Sequence, residues 1–196
     1  MNKTLVPLLL LGCVLSTTVT GCAGLAAAGA ATGIAVVHDR RTAGQVIEDQ
    51  EIEFKGGQAI RDDSTLNSQS HISVTCYNGI VLLTGETPTK ALRAKATDLV
   101  KDIPHVRRVH NEIAIAAPSS LMSRSSDTLI TAKVKTSLFH IQGYPGFDPT
   151  RVKVVTENGT VYLMGLLKHD EATAVTNEVR QVGGVQRVVT LFEYID

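Results

Sequence analysis

The sequence predicts an α+β protein made of two tandem copies of one α-β-β-α-β unit, each with a three-stranded mixed sheet packed on two helices. The main observation is an internal repeat, in which residues 74–85 read VTCYNGIVLLTG and residues 154–165 read VVTENGTVYLMG. Flanking segments match at nearly the same offset, DQEI with DTLI and VRRV with VQRV. A match that spans a whole unit indicates a duplicated domain rather than a duplicated loop.

The first element of each copy is predicted to be a helix. In the second copy Ile130, Val134 and Leu138 recur at every fourth residue, which gives the helix one apolar face. Asp127 suits its N-cap position. The matching segment of the first copy, EDQEIEFKGGQAI, contains two adjacent glycines. Each glycine costs about 1 kcal/mol relative to alanine inside a helix, so this helix is expected to be short or broken.

Each copy continues into a β-hairpin, because an Asn-Gly pair separates an alternating strand from an apolar return strand that ends in glycine. Asn-Gly tolerates positive φ at both central positions and is the strongest short signal for a hairpin. No nucleophile, acid or metal ligand converges on these pairs in the sequence, so we interpret them as scaffold. The predicted structural turn residues are Asn78, Gly79, Gly85, Asn158, Gly159 and Gly165.

A second helix and a final strand complete each copy. The helix connects the return strand to the final strand, which is therefore predicted to run parallel to it by a right-handed crossover. A single unit of this length buries only a small hydrophobic core and is therefore marginally stable by itself. The two copies are therefore expected to pack on each other.

The N-terminal residues have the layout of a lipoprotein signal peptide. Lys3 precedes an apolar run, Leu5 to Leu15, that is shorter than the about 20 residues a membrane span requires. The following VTGC resembles a bacterial lipobox, in which the cysteine thiol is acylated; an ordinary secretory signal with an incidental cysteine is the alternative. The expected lipidation site is Cys22. In Gram-negative lipoproteins an Asp after that cysteine favours the inner membrane, so Ala23 implies the periplasmic face of the outer membrane.

The remaining cysteine is expected to be buried. With Cys13 removed and Cys22 acylated, only Cys76 is left, so an intramolecular disulfide is excluded. In the alternating pattern of the predicted strand, Cys76 falls on the same side as Ile72 and Val74, which is the side expected to face the core. We interpret Cys76 as inert rather than as a nucleophile.

Composition and motifs favour neither an enzyme nor a nucleic-acid binder. The 19 Lys and Arg residues balance 19 Asp and Glu residues, without the basic excess of a nucleic-acid binder. His105 and His110 lack the companion ligands of a metal site. The sequence has no Gly-x-Ser-x-Gly elbow, no phosphate loop and no Cys-x-x-Cys. We predict no catalytic residues, no metal and no cofactor.

The combined pattern resembles the BON domain, a family named for bacterial osmotic-shock and nodulation proteins. The shared features are the order of elements, the Asn-Gly hairpin, the glycine after the second strand and the Val-x-x-Val start of the last strand. The resemblance covers about residues 46–195 and is stronger in the second copy, through SSDTLITAKVKTSL, VKVVTENGTVYLMGL and GVQRVVTLFEYI. The predicted domains are a signal peptide at 1–21, a lipidated apolar tether at 22–45, BON domains at 46–115 and 125–196, and a linker at 116–124.

The resemblance implies a non-enzymatic outer-membrane lipoprotein that binds anionic phospholipid and supports membrane integrity, with enrichment at division sites. It places lipid contact on the first helix of the second copy, where this chain has Leu129 in place of a family Trp. Leu is a weaker interfacial anchor, because Trp prefers the headgroup layer. Outer-membrane assembly or division proteins are further partners consistent with the resemblance.

A helical projection of this segment supports such a surface. With the apolar stripe facing inward, the predicted phospholipid-binding residues on the outer side are Leu129, Ala132, Lys133, Thr136, Phe139 and His140. Large apolar groups beside a lysine are an interfacial pattern, and a local basic excess suits an anionic headgroup. The alternative is that Leu129 and Phe139 pack on the other copy or on the loop IQGYPGFDPT.

Three hypotheses therefore remain from the sequence. They are a phospholipid-binding outer-membrane lipoprotein, an envelope adaptor or assembly factor that binds a protein partner, and an uncatalogued enzyme. The sequence leaves the oligomeric state and the preferred headgroup undetermined.

Overall fold

The protein is represented by a computed structural model, which describes residues 39–195. The expected signal peptide, the acylation site Cys22 and most of the expected tether lie outside these residues. Within the described range, no helix is both long enough and apolar enough to cross a membrane.

The first copy contains three helices and four strands. Strand β1 pairs antiparallel with β2, and β2 pairs parallel with β3 and β4, as the crossover predicts. The elements are α1 (Ala43–Asp62), α2 (Ser64–Gln69), β1 (His71–Tyr77), β2 (Ile80–Thr87), α3 (Lys90–Lys101), β3 (Arg108–Asn111) and β4 (Ala114–Ile115).

The second copy has the same main elements, but a 3-10 turn stands in place of α2 and one long final strand stands in place of β3 and β4. Strand β5 pairs antiparallel with β6, and β6 pairs parallel with β7 over eight residue pairs. The elements are α4 (Leu121–Leu138), a 3-10 turn (Pro149–Arg151), β5 (Lys153–Glu157), β6 (Thr160–Leu167), α5 (His169–Arg180) and β7 (Arg187–Tyr194). The predicted α+β tandem fold is confirmed.

Helix α1 is continuous over 20 residues, so the expected break at its two glycines is wrong. Gly56 is buried, and a Cβ there would lie 3.1 Å from Val74 Cγ1 and 3.3 Å from Val100 Cγ1. The missing side chain therefore lets the helix lie close to β1 and α3. Tertiary packing of this kind outweighs the low helix propensity of glycine.

Two predicted boundaries also change. Helix α4 begins at Leu121, because the hydroxyl of Ser120 accepts a hydrogen bond from Ser123 N at 3.2 Å and caps the helix. Asp127 lies inside the helix, so its prediction as the N-cap is wrong. The last four residues of the predicted linker, 121–124, are helical, as are residues 43–45 of the predicted tether.

The two sheets pack face to face, with the helices on the outside. Successive residues of a strand point to opposite faces, and Val81 and Leu83 pack in the core under the helices of the first copy. Ile80 and Leu82 point the other way and pack with Tyr162 and Met164 of the second copy. Every residue of β2 is buried for this reason. The expected packing of the copies on each other is confirmed.

Candidate functional site

A buried aspartate on the first helix of each copy holds the Asn-Gly turn. In the second copy the carboxylate of Asp127 accepts hydrogen bonds from Asn158 N and Gly159 N, both at 2.9 Å. Both turn residues have positive φ, 47° and 70°. The helix and the hairpin are therefore joined by a buried charge-assisted contact, which we call the aspartate clamp.

The clamp of the first copy has more partners. Asp49 accepts from Asn78 N at 2.6 Å and from Gly79 N at 2.7 Å. It also accepts from the Cys76 thiol at 3.1 Å and from Arg41 Nη1 at 2.7 Å. Cys76 is fully buried, as expected, and burial together with the neighbouring Asp49 raises the pKa of its thiol. The thiol therefore stays protonated and unreactive.

The glycines after the second strands let a neighbouring carbonyl approach. Gly85 has φ of 111°, and a Cβ there would lie 1.9 Å from His71 O. At Gly165 the φ is not in the left-handed region, and a Cβ would lie 3.0 Å from Arg151 O. Both positions serve the scaffold, but only Gly85 also needs the left-handed conformation.

The outer face of α4 and the two residues that follow the helix carry the predicted phospholipid-binding residues. Ile130, Val134 and Leu138 are buried beneath the helix. About two thirds of the Leu129 and Phe139 side chains is exposed, 64% and 65%, rather than packed on the first copy or on the following loop. Exposure extends to the whole predicted set: Leu129, Ala132, Lys133, Thr136, Phe139 and His140. We call these six residues the α4 surface.

Positive charge comes from Lys133 of the α4 surface and from Lys135 of the same helix, which are both exposed. The other nearby basic residues are engaged elsewhere. Lys153 forms an ion pair with Glu53 of the first copy, and Arg124 donates to Ser119 O at 2.8 Å. The local basic excess that the sequence shows is therefore smaller at the surface itself.

A cavity of about 440 Å³ adjoins the C-terminal end of α4. Lys135, Leu138 and Phe139 line it from the helix, and Arg41 and Tyr77 line it from the first copy. The guanidinium of Arg41 stacks over the Tyr77 ring at 3.8 Å. The described chain therefore begins beside the end of the α4 surface.

The preceding arginine binds the second copy. Arg40 Nη1 and Nη2 donate to the two carboxylate oxygens of Glu171 at 2.6 and 2.7 Å, and Nη1 also donates to Leu166 O at 2.8 Å. The hydrogen bond from Arg40 lowers the pKa of Glu171. No local pattern marks a partner 131 residues away, so sequence reasoning missed this contact and assigned Arg40 to the tether.

Comparison with known proteins matches this architecture. The sequence profile of the BON domain matches residues 48–117 and 126–196, which correspond to the two structural copies. The outer membrane lipoprotein DolP of Haemophilus influenzae is 33% identical over 195 residues, 98% of this chain and all of that protein. The 21 kDa hemolysin of Actinobacillus pleuropneumoniae is 32% identical over 157 residues, 80% of this chain and 79% of that protein.

Among solved structures, the similarity is weaker. CdsD, a structural protein of the type III secretion system of Chlamydia trachomatis, aligns with 75% of this chain and 63% of its own length. The identity is 16% and the TM-score is 0.29, a level at which the likeness carries no functional information.

Proposed function

Since the chain belongs to the BON domain family and contains two BON domains, we propose that it is a lipid-anchored outer-membrane protein facing the periplasm. In this proposal it binds anionic phospholipid through the α4 surface and supports membrane integrity without catalysis. The location is supported by the relative named as an outer membrane lipoprotein, which aligns with nearly the whole chain. Enrichment at division sites is part of the same proposal.

The observation that carries this proposal is the exposure of Leu129 and Phe139 beside Lys133 and Lys135 on a helix that already has a complete buried face. Full burial of an apolar side chain of this size contributes about 1.5–3 kcal/mol, and these two have about two thirds of their surface left to bury. Each lysine near an anionic surface contributes about 1 kcal/mol.

Contributions of this size suit a contact that assists an existing membrane anchor better than a contact that must hold the protein on the membrane alone. A few kcal/mol from two side chains and two charges gives weak, reversible binding by itself. Combined with an acyl anchor at Cys22, the same contact orients the folded part on the bilayer, since stable attachment takes two signals. This arrangement is supported by Arg41, near the start of the described residues, which lines the same cavity as Phe139.

A second candidate function is binding of a protein partner in the envelope. Ile47 and Phe54 on helix α1 of the first copy are 65% and 66% exposed, so the first copy also displays two large apolar groups. Glu51 and Lys55 lie on the same helix and form an ion pair at 2.5 Å. A face that carries a carboxylate suits a protein partner better than an anionic membrane.

Liposome co-sedimentation distinguishes the two surfaces. The sample is the unacylated chain of residues 23–196, which contains the complete compact unit of residues 38–196. We expect it to bind vesicles containing phosphatidylglycerol and to bind neutral vesicles at least tenfold more weakly. Leu129→Ser with Phe139→Ser should lower the binding about tenfold or more, because most of the insertion energy is lost.

The matched control is the first copy's apolar pair, Ile47→Ser with Phe54→Ser. It removes similar exposed area and should leave vesicle binding unchanged. Equal loss in both double variants, or indifference of the parent chain to anionic lipid, would count against the α4 surface. In cells, a deletion strain no more sensitive to detergent or vancomycin than its parent would contradict the role in membrane integrity.

A further inference from the structure

Three potential metal ligands from the two copies meet at one edge of the interface between the sheets. They are His71 on β1, Glu86 on β2 and Glu157 on β5. One ligand atom of each lies within 4.8 Å of the other two, and His71 Nδ1 is 3.7 Å from Glu86 Oε2. The candidate site therefore exists only when both BON domains are in place.

Two of these atoms have no hydrogen-bond partner although they are shielded from water. They are His71 Nδ1 and Glu157 Oε1. A buried polar atom without a partner costs about 1–3 kcal/mol, so such atoms need a physical explanation. Both atoms belong to the same cluster, so one bound ion would satisfy the two together.

The third residue is fixed in place and still has free acceptor capacity. Glu86 is 1% exposed, and its carboxylate accepts hydrogen bonds from Asn158 Nδ2 and from Ser119 N. Each carboxylate oxygen has two lone pairs, so Oε2 can accept the Ser119 bond and still bind an ion. Hydrogen bonds of this kind orient ligands in established metal sites.

The charges around the cluster favour a cation. The carboxylates of Glu86, Glu157 and Asp127 lie close enough to interact, and Arg124 is the cation that faces Glu157. The carboxylates outnumber the guanidinium that faces them, and an excess of negative charge is costly in a partly buried site. Burial first, and then Glu86 and Asp127, raise the pKa of Glu157 to about 7.

We propose that His71, Glu86 and Glu157 bind one divalent ion of the zinc type, which links the two BON domains. One imidazole nitrogen and two carboxylate oxygens are a donor set that zinc accepts, with water at the fourth position. Ligand atoms on one tetrahedral ion lie about 3.3 Å apart. The distance of 3.7 Å between His71 and Glu86 is already close to this value, and a shift of Glu157 completes the set.

The sequence signal for this site is weak, although one of its ligands lies near the surface, since the side chain of His71 is 30% exposed. The three ligands lie on three strands of two domains, without the short ligand spacing of a metal motif. The prediction of no metal, made from the sequence, rests on that missing spacing.

Calorimetric titration of residues 23–196 with Zn²⁺ tests the proposal, since this chain lacks Cys22 and its remaining thiol, Cys76, is buried. We expect one ion per chain. His71→Ala and Glu157→Gln should each weaken binding at least tenfold and abolish the rise in melting temperature that Zn²⁺ produces in the parent chain. Co²⁺ should give visible absorption bands that His71→Ala removes.

The matched control is His105→Asn, which removes an exposed histidine and keeps a residue type that tolerates its positive φ of 69°. It should bind zinc as the parent does. Absence of saturable binding in the parent, or equal losses in His71→Ala and His105→Asn, would overturn the proposal. Circular dichroism without metal checks that each variant is folded, so that loss of binding reports the site itself.

Discussion

The two BON domains share one backbone plan but differ on the outer face of the first helix. In the first copy Glu51 and Lys55 form an ion pair on this face. The positions 78 residues later hold Leu129 and Lys133, so an apolar group replaces the carboxylate and the lysine is kept. At these two positions the exchange turns a charge-balanced pair into a cationic one with an apolar neighbour. This difference is the basis of the proposal that the second copy's helix, rather than the first, contacts an anionic membrane.

A second difference lies beside the aspartate clamps. In the first copy His105 and Arg107 border the clamp, and the cavity there is about 180 Å³. In the second copy the corresponding side holds Gly184 and Gln186, and the cavity is about 570 Å³. The first copy, whose clamp also engages Arg41, is the more closed of the two. Variants at matching positions of the two copies test whether these differences affect stability and vesicle binding.

The largest expected contrast is between the two glycines that follow the second strands. Gly85→Ala should lower the free energy of unfolding by at least about 3 kcal/mol, because alanine would need φ of 111° and would overlap His71 O. Gly165→Ala should cost about 1–2 kcal/mol, since only a contact of 3.0 Å has to relax. Chemical denaturation followed by circular dichroism measures both. Equal costs would mean that the backbone at His71, the first residue of β1, shifts easily to make room for the added methyl group.

Removal of the clamps should give the next largest effects. Asp49→Ala is expected to cost about 3–4 kcal/mol and Asp127→Ala about 2–3 kcal/mol, because Asp49 has four hydrogen-bond partners and Asp127 has two on the hairpin. The same denaturation experiment applies. A larger loss for Asp127→Ala would contradict the view that the first copy is the more tightly closed one.

The N-terminal segment contacts both copies through neighbouring arginines, and Arg40→Ala isolates its bond to the second copy. The expected cost at pH 7 is about 2 kcal/mol, since Glu171 is 3% exposed and would lose its bidentate partner. Glu171 has a lowered pKa in the folded protein. Its contribution is therefore present above the unfolded pKa of about 4.5 and is lost as pH falls through the folded value.

The difference in stability between the parent and Arg40→Ala should accordingly shrink as pH falls below about 4.5. Urea denaturation at a series of pH values measures this difference. Lys101→Ala is a suitable control, because Lys101 forms a solvent-exposed ion pair with Asp98 at the end of α3, and its loss should produce little change at any pH. A constant difference across the series would show that Arg40 acts through packing instead of charge.

The smallest expected effect is a gain in the first copy. Glu51→Leu removes the carboxylate of the ion pair and places an apolar group where the second copy has Leu129. Binding of residues 23–196 to phosphatidylglycerol vesicles should rise by about two- to fivefold, because the first copy then resembles the α4 surface. Glu51→Gln removes the charge without adding apolar area and should give a smaller gain. Unchanged binding in Glu51→Leu would show that helix α1 cannot reach the membrane.

Much of the scaffold follows from local patterns. The period of Ile130, Val134 and Leu138 places one face of α4 in the core, and the Asn-Gly pairs place both hairpins. The same periodicity locates Leu129 and Phe139 outside. Local patterns succeed here because a helix face or a two-residue turn depends on neighbours in the chain.

Other features depend on residues far apart in the chain. Asp127 looks like a helix cap by sequence, yet it lies inside the helix and binds a turn 31 residues away. Gly56 looks like a helix breaker, yet its missing side chain lets the helix pack closely on β1 and α3. In both cases the partner, and not the residue type, decides the role.

The sequence by itself determined the duplication, the order of elements, the resemblance to the BON family and the outward side of α4, because each rests on spacing along the chain. Only the tertiary structure decided that the sheets face each other, that Arg40 joins the N-terminal segment to Glu171, and that His71, Glu86 and Glu157 converge. The physical reason is that these contacts join strands and segments of different domains. Their energies depend on burial and distance, which chain spacing does not encode.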